Sequence, residues 1–159
     1  EKYRLPPRWE YVERLALRYE GEGVTVVLNG AVHDEQSMNA ALAAAPHCGG
    51  IMIARGAAEY PWIFAELGAA LNHTHFACTV DRERTALDFI DMLEKYQPEE
   101  FLKTRMQRFF AYYCLGFSFA HYFQTQMLNA KSPDDARERV RDYFRRETGD
   151  KLLISNSGV

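Results

Sequence analysis

Two dipeptides stand where a main chain can close on an anion. Asn29-Gly30 ends the apolar run VTVVL at 24–28, and Arg55-Gly56 follows Ile51-Met52-Ile53-Ala54. Small residues let backbone N–H groups approach a phosphate, and an arginine adds permanent charge in a fork geometry. The two dipeptides serve one ligand only if the fold sets them side by side. The intervening residues supply that fold. Asp34 to Ala45 reads as a helix, with Asp34 as N-cap and alanine-rich helix formers running to Pro46. A strand, a helix and a strand make a parallel pair by default, and ligands of such sheets lie beyond the carboxyl ends of the strands. Asn29, Gly30, Ala54, Arg55 and Gly56 then share one rim. On spacing alone, a plain turn and a surface cation explain these residues equally well. The unbroken β-branched character of 24–28 predicts a strand buried on both faces.

A second candidate is cationic. Lys103, Arg105 and Arg108 form a basic run with no acid among them. Arg105 and Arg108 share a helix face, with Tyr112 one turn further on. Such a face can hold phosphate and stack a base, or can be simply solvated. The lead-in at 1–8 is basic and proline-broken, with Lys2, Arg4 and Arg8 reading as solvated charges on composition alone. Arg137, Arg139, Arg141, Arg145 and Arg146 alternate with Glu138, Asp142 and Glu147, which points to surface ion pairs instead. His73 and His75 lack ligand spacing and an acidic or cysteine partner, so no metal is expected. Cys48, Cys78 and Cys114 are far apart, which fits reduced thiols of an intracellular protein better than a disulfide framework.

The elements that must position these residues fall into two grammars. With 159 residues, 47% of them hydrophobic, the chain can bury one ordinary core or two small ones. A helix from Pro7 carries Trp9, Val12, Leu15, Ala16 and Tyr19 at helical spacing and stops at Gly21 and Gly23. Trp9 is expected in the core. Pro61 opens a further helix to about Leu71, with Trp62, Ile63, Phe64 and Leu67 as a seam between two parts of the chain. A polar loop, 72–79, marks the boundary. Beyond it, four amphipathic helices follow: 81–96, 99–116, 117–128 and one capped by Ser132 with Pro133 at its first position. Short connections make them a small antiparallel bundle. The polar end, 152–159, is expected to be mobile. The net charge of −3 means that any RNA binding rests on local patches. No stretch reads as a membrane span or a signal peptide.

VVLNGAVHDEQSMNAAL followed by GGIMIARGAAEYPWIFAEL resembles the C-terminal part of the tRNA-dihydrouridine synthases. The resemblance rests on Asn29, Gly30, Met52, Ile53, Arg55, Gly56, Ala57 and the run Pro61-Trp62-Ile63-Phe64, and extends into KTRMQRFFAYYCLG and its sequel. It implies an α/β part followed by an all-α part: the last βα units of a (β/α)8 TIM barrel, incomplete in this chain, and a four-helix tRNA-binding bundle. It places the barrel portion at 1–78, the helical domain at 79–150 and a flexible tail at 151–159. It further implies FMN held by its phosphate at Asn29, Gly30, Ala54, Arg55 and Gly56, NADPH as reductant, and tRNA against Lys2, Arg4, Lys103, Arg105, Arg108 and Tyr112. Ala31 stands where the family has Asp, and Ala54 where it has Gly. The family's acid-supplying cysteine lies in the first half of the barrel and matches none of the three cysteines here. Since a whole barrel takes on the order of 200 to 250 residues, the chain is expected to lack its N-terminal barrel half, supplied in cis or in trans, and to be inactive alone. A cytoplasmic or mitochondrial setting follows from the same resemblance. The alternative is a non-catalytic remnant acting as an RNA-binding or assembly subunit.

Overall fold

The computed structural model describes residues 5–157. Strands β1 (Val27–Asn29) and β2 (Gly50–Met52) pair in parallel, with Val27 opposite Gly50 and Asn29 opposite Met52. That register brings the residues after Asn29 and after Met52 to one rim. Helix α2 (Glu35–Ala44) connects the strands. Its start is a reciprocal cap in which Ser37 N–H donates to Asp34 Oδ1 at 2.7 Å and Asp34 N–H donates to Ser37 Oγ at 3.0 Å.

The expectation of a strand buried on both faces is corrected. Leu28 is fully buried, whereas Val27 is 50% exposed and Met52 51%. Side chains alternate across a strand, so covering one face of this two-stranded sheet leaves the other open. Helix α1 (Glu10–Arg18) begins after the expected Pro7, because Trp9 is its N-cap. Trp9 is half-buried rather than fully in the core and packs beside β1 and α2.

Helix α3 (Arg55–Glu59) starts directly beyond β2, and α4 (Ile63–Leu71) follows the Pro61 turn. Within the expected seam, Ile63 and Leu67 are buried with Leu28 and Met38, Trp62 packs against the bundle core, and Phe64 is exposed. The rings of Tyr60 and Trp62 meet edge to face at 5.7 Å, one on each of the two apolar clusters.

The bundle is present: α5 (Arg82–Tyr96), α6 (Glu99–Tyr113), α7 (Ala120–Leu128) and α8 (Pro133–Arg146). Asp81 caps α5 through the Arg84 N–H at 2.9 Å, and Ser132 caps α8 through the Asp135 N–H at 3.1 Å. Its core holds Phe110, Phe123, Val140 and Tyr143, with the Phe123 and Tyr143 rings stacked at 4.1 Å. Helix α7 starts later than expected because Phe117 is extended, after a 3₁₀ turn at Cys114–Gly116.

Both ends of the bundle differ from expectation. Strand β3 (Phe76–Asp81) occupies the predicted boundary loop, so the division at residue 78 falls inside an element. The segment expected as a flexible tail contains β4 (Leu152–Ser157), antiparallel to β3 with Asp81 opposite Leu152 and Phe76 opposite Ser157. Each strand's partner is remote in sequence, and neither segment carries the strong apolar alternation that marks a strand by itself.

Candidate functional site

A cleft of about 770 Å³ opens at the rim of β1 and β2. Asn29, Gly30, Ala54 and Arg55 line it from the strand ends, and Tyr112 and Leu115 line it from the end of α6 and the turn beyond. All five residues expected at the rim border this cavity. Tyr112, expected on an RNA-facing helix, borders it too.

The rim's shape comes from its backbone. Gly30 has φ 117°, a region open to glycine, and Ala31 has φ 56°, the left-handed region that costs a residue with a Cβ. Trp9 Nε1–H donates to the Gly30 carbonyl at 3.1 Å, which fixes the turn from outside. His33 Nδ1 lies 3.0 Å from the Ala31 carbonyl. On the other side, Gly56 is buried, and a Cβ there would lie 3.1 Å from the Val32 carbonyl oxygen and 3.4 Å from His33 Cα. The β1–α2 loop and the start of α3 pack so tightly here that a side chain at residue 56 would push them apart by a few tenths of an ångström. Ala54, as N-cap of α3, has no side-chain acceptor to offer the first N–H groups of that helix. The exposed Arg55 guanidinium lies at the same rim.

The remaining predicted residues separate. Arg105 and Arg108 line a groove of about 490 Å³ between α5, α6 and α3. Lys103 is exposed and lines neither cavity. Lys2 and Arg4 lie outside the described residues. The arginines of α8 are largely paired, with Arg137 bonded to Asp91, Glu94 and Asp134, Arg139 to Asp135, and Arg145 to Asp142. Among the described residues no group of three His, Cys, Asp or Glu side chains could hold a metal ion, and no helix is long and apolar enough to cross a membrane.

One polar constellation was missed in the sequence. Arg82, buried at the first turn of α5, donates Nε–H to the Asp150 carbonyl at 2.5 Å and Nη1–H to the Gly116 carbonyl at 2.9 Å, with Nη2 3.4 Å from Asp150 Oδ1. Asp150 also accepts from Ser118 N–H and Ser118 Oγ–H, each at 2.9 Å, and from the Tyr143 hydroxyl. Tyr113 O–H donates to the Arg82 carbonyl at 2.6 Å. Burial alone would raise the Asp150 carboxyl, but the Tyr143 and Ser118 hydrogen bonds and the Arg82 charge together hold it below its ordinary value. Burial pushes the Tyr113 and Tyr143 hydroxyls and the Cys114 thiol well up, so all three stay protonated. The sequence carries no signal for it: Arg84, in the same first turn, is exposed and pairs with exposed Asp88, so an arginine at this position does not by itself mark a buried partner.

Residues 1–148 match the family model described as dihydrouridine synthase. The chain belongs to the dihydrouridine synthase family. No curated protein matches it. Dihydrouridine synthases are oxidoreductases that modify tRNA, and the mixed architecture seen here, mostly helical with a parallel strand pair at the rim, is consistent with part of a barrel joined to a helical portion. In this dihydrouridine synthase chain the cleft thus combines strand-end backbone with the polar side chains of Asn29, Arg55, Tyr112 and His33 and the carboxylate of Glu59.

Proposed function

We propose that this chain supplies the phosphate grip for FMN and an RNA-facing helical unit to the reduction of uridine in tRNA to 5,6-dihydrouridine. The observation that supports it is the convergence of Asn29, Gly30, Ala54, Arg55 and Gly56 on one cleft. These residues fit a phosphate: a close-packed glycine turn, helix-start N–H groups without a side-chain acceptor, and a guanidinium. When bound, FMN supplies the hydride that saturates the uracil ring, and NADPH restores it. The chain's own residues bind and orient. Arg55 and the backbone at 30 and 54–56 hold the phosphate, Trp9 steadies the Gly30 turn, and Tyr112 and Leu115 wall the cleft against water.

Three further parts belong to the same reading. The division into a barrel portion and a helical, tRNA-binding domain follows the two apolar clusters, with β3 and β4 as the join. The open face at Val27 and Met52 is suited to the rest of a barrel, in cis or in trans. Of the three cysteines, Cys114 is buried and protonated, and none borders the cleft. The chain alone therefore does not reduce uridine.

The test is flavin fluorescence on titrating the chain into FMN. Saturable quenching is expected, reversed by inorganic phosphate and weakened at least about tenfold by Arg55→Ala, the loss of one charge-assisted contact. Absence of quenching, or an Arg55→Ala chain that binds like the native one, sinks the phosphate grip. Dihydrouridine formed by the purified chain with FMN, NADPH and tRNA would overturn the expectation that it is inactive alone.

A further inference from the structure

The rim cleft is short of positive charge for a phosphate. A phosphomonoester carries about 1.5–2 negative charges at neutral pH. Among the described residues that line the cleft, Arg55 brings the one permanent cation, and the Glu59 carboxylate in the same lining offsets it. Backbone N–H groups add only partial charges. A second cation would balance the ligand, and one lining residue can become one, His33.

His33 is held in place from three sides. Its N–H donates to Ser37 Oγ at 3.0 Å, which ties it to the start of α2. Its Cα lies where a Cβ on Gly56 would come within 3.4 Å, so His33 faces the residue next to Arg55. The ring Nδ1 is 3.0 Å from the carbonyl oxygen of Ala31, the residue at φ 56°. A carbonyl only accepts, so Nδ1 carries a proton and Nε2 is the nitrogen that gains or loses one.

The charges around the ring favour its protonation. Nε2 lies 3.5 Å from Asp34 Oδ2, near enough for attraction but beyond the range of about 2.7–3.2 Å of a good N–H···O bond, so an Nε2–H keeps its donation for a ligand. Hydrogen bonds from Ser37 hold the Asp34 carboxyl below its ordinary value, so it stays ionised. From α3, Glu59 favours a charged ring and Arg55 opposes it until an anion arrives, while α6 presents the Tyr112 hydroxyl.

We infer that His33 is the second cation of this anion site: charged and donating from Nε2 to a phosphoryl oxygen, it makes binding in the cleft take up a proton. The inference rests on the phosphate reading of the preceding section and adds a proton-linked residue to it. Anion affinity then rises on acidification through the range of about pH 8 to 5 in which an imidazole gains its charge.

Sulfate is the probe, because it keeps both negative charges over that range, whereas a phosphomonoester loses one near about pH 6. Amide NMR shifts of Gly30 and Gly56 in the full chain report its affinity, at constant ionic strength and several pH values. Sulfate should bind about fivefold more tightly at the acid end, the upper value for an exposed ion pair, since the His33 side chain is 64% exposed. The His33 ring signals should titrate at higher pH when sulfate is bound, as linkage requires. His33→Gln should bind weakly at every pH, and His33→Arg tightly at every pH. Sulfate affinity that is flat with pH in the native chain overturns the proposal, as does a pH dependence that survives His33→Gln, or a His33 titration that sulfate leaves unmoved. FMN quenching that needs Arg55 but is the same in His33→Gln at acid pH refutes the role of His33 and leaves the phosphate grip standing. His33-dependent sulfate binding without FMN quenching supports the proposal and refutes the flavin.

Discussion

Replacing Asp150 by alanine removes the centre of the buried polar network and should cost about 3 kcal/mol of stability. Breaking a buried ion pair by deleting one partner costs about 3–5 kcal/mol, because the other charge stays buried. Three hydrogen bonds to the carboxylate are lost as well, from Ser118 N–H, Ser118 Oγ–H and Tyr143 O–H. The low end of the range applies because Arg82 keeps two backbone acceptors, the carbonyls of residue 150 and Gly116, and retains its place 4.4 Å from the Phe117 ring centroid. For a chain of this size the loss corresponds to a thermal midpoint lower by about 6–12 °C. Equilibrium urea unfolding followed by circular dichroism gives the free energy, and amide exchange of residues 152–157 reports whether β4 detaches first. Asp150→Asn, which keeps the shape and can still accept from Ser118, should lose less than Asp150→Ala. A loss below about 1 kcal/mol in Asp150→Ala, with β4 protection unchanged, would show that the network is an ornament of the bundle and not its clasp.

Stability should fall on acidification: a carboxyl whose folded pKa is depressed contributes stability that is complete above the unfolded value of about 3.9 and is lost as pH drops through the folded value. Asp150 and the cap residue Asp34 both fall in this class, so urea midpoints should be flat near neutrality and decline below about pH 4, with the decline shallower in Asp150→Asn. Thiol labelling should order the cysteines by access, with exposed Cys78 first, Cys48 next, and Cys114 reacting only on unfolding; fast labelling of Cys114 in the native chain would contradict its burial. Ala31→Gly relieves a left-handed residue worth roughly 1–2 kcal/mol at an entropic cost of roughly 0.5–1, so the thermal midpoint should rise by about 1–3 °C and a fall would refute the strain.

What was legible in the sequence was local. Asp34 and Ser132 mark helix starts through side-chain oxygens that act within three residues, and each helix begins next to them; the cap at Asp81 was passed over. The parallel pairing of β1 and β2 follows from a crossover of ordinary length. What was not legible depended on partners far along the chain. The β3–β4 pairing joins residues separated by most of the helical bundle, and the Arg82–Asp150 contact spans an equal distance. The bare face of β1 escaped because a β-branched run reports the propensity of a strand and not how much of it is covered. For the candidate site, the dipeptides were visible and the packing was not. Gly56 was read as a small residue that lets the backbone approach a phosphate, whereas the structure packs it tightly against the backbone of Val32 and His33.

Helix α6 ties these observations together. Its Tyr113 points into the bundle and bonds the Arg82 carbonyl, while the adjacent Tyr112 borders the rim cleft and Arg108, a turn earlier, borders the groove. Arg82 in turn holds the Gly116 carbonyl, next to Leu115 of the cleft wall. Gly116 sits where a Cβ would come within 3.4 Å of the Tyr60 ring. The polar clasp of the bundle therefore sets the position of the wall that faces Arg55, although none of its own residues borders the cleft. A helical unit joined to the rim by a loose linker would leave both cavities with variable walls. Here the wall is fixed by hydrogen bonds of Arg82 and Tyr113, so the distance from the Arg55 rim to the groove at Arg105 and Arg108 is a property of the fold.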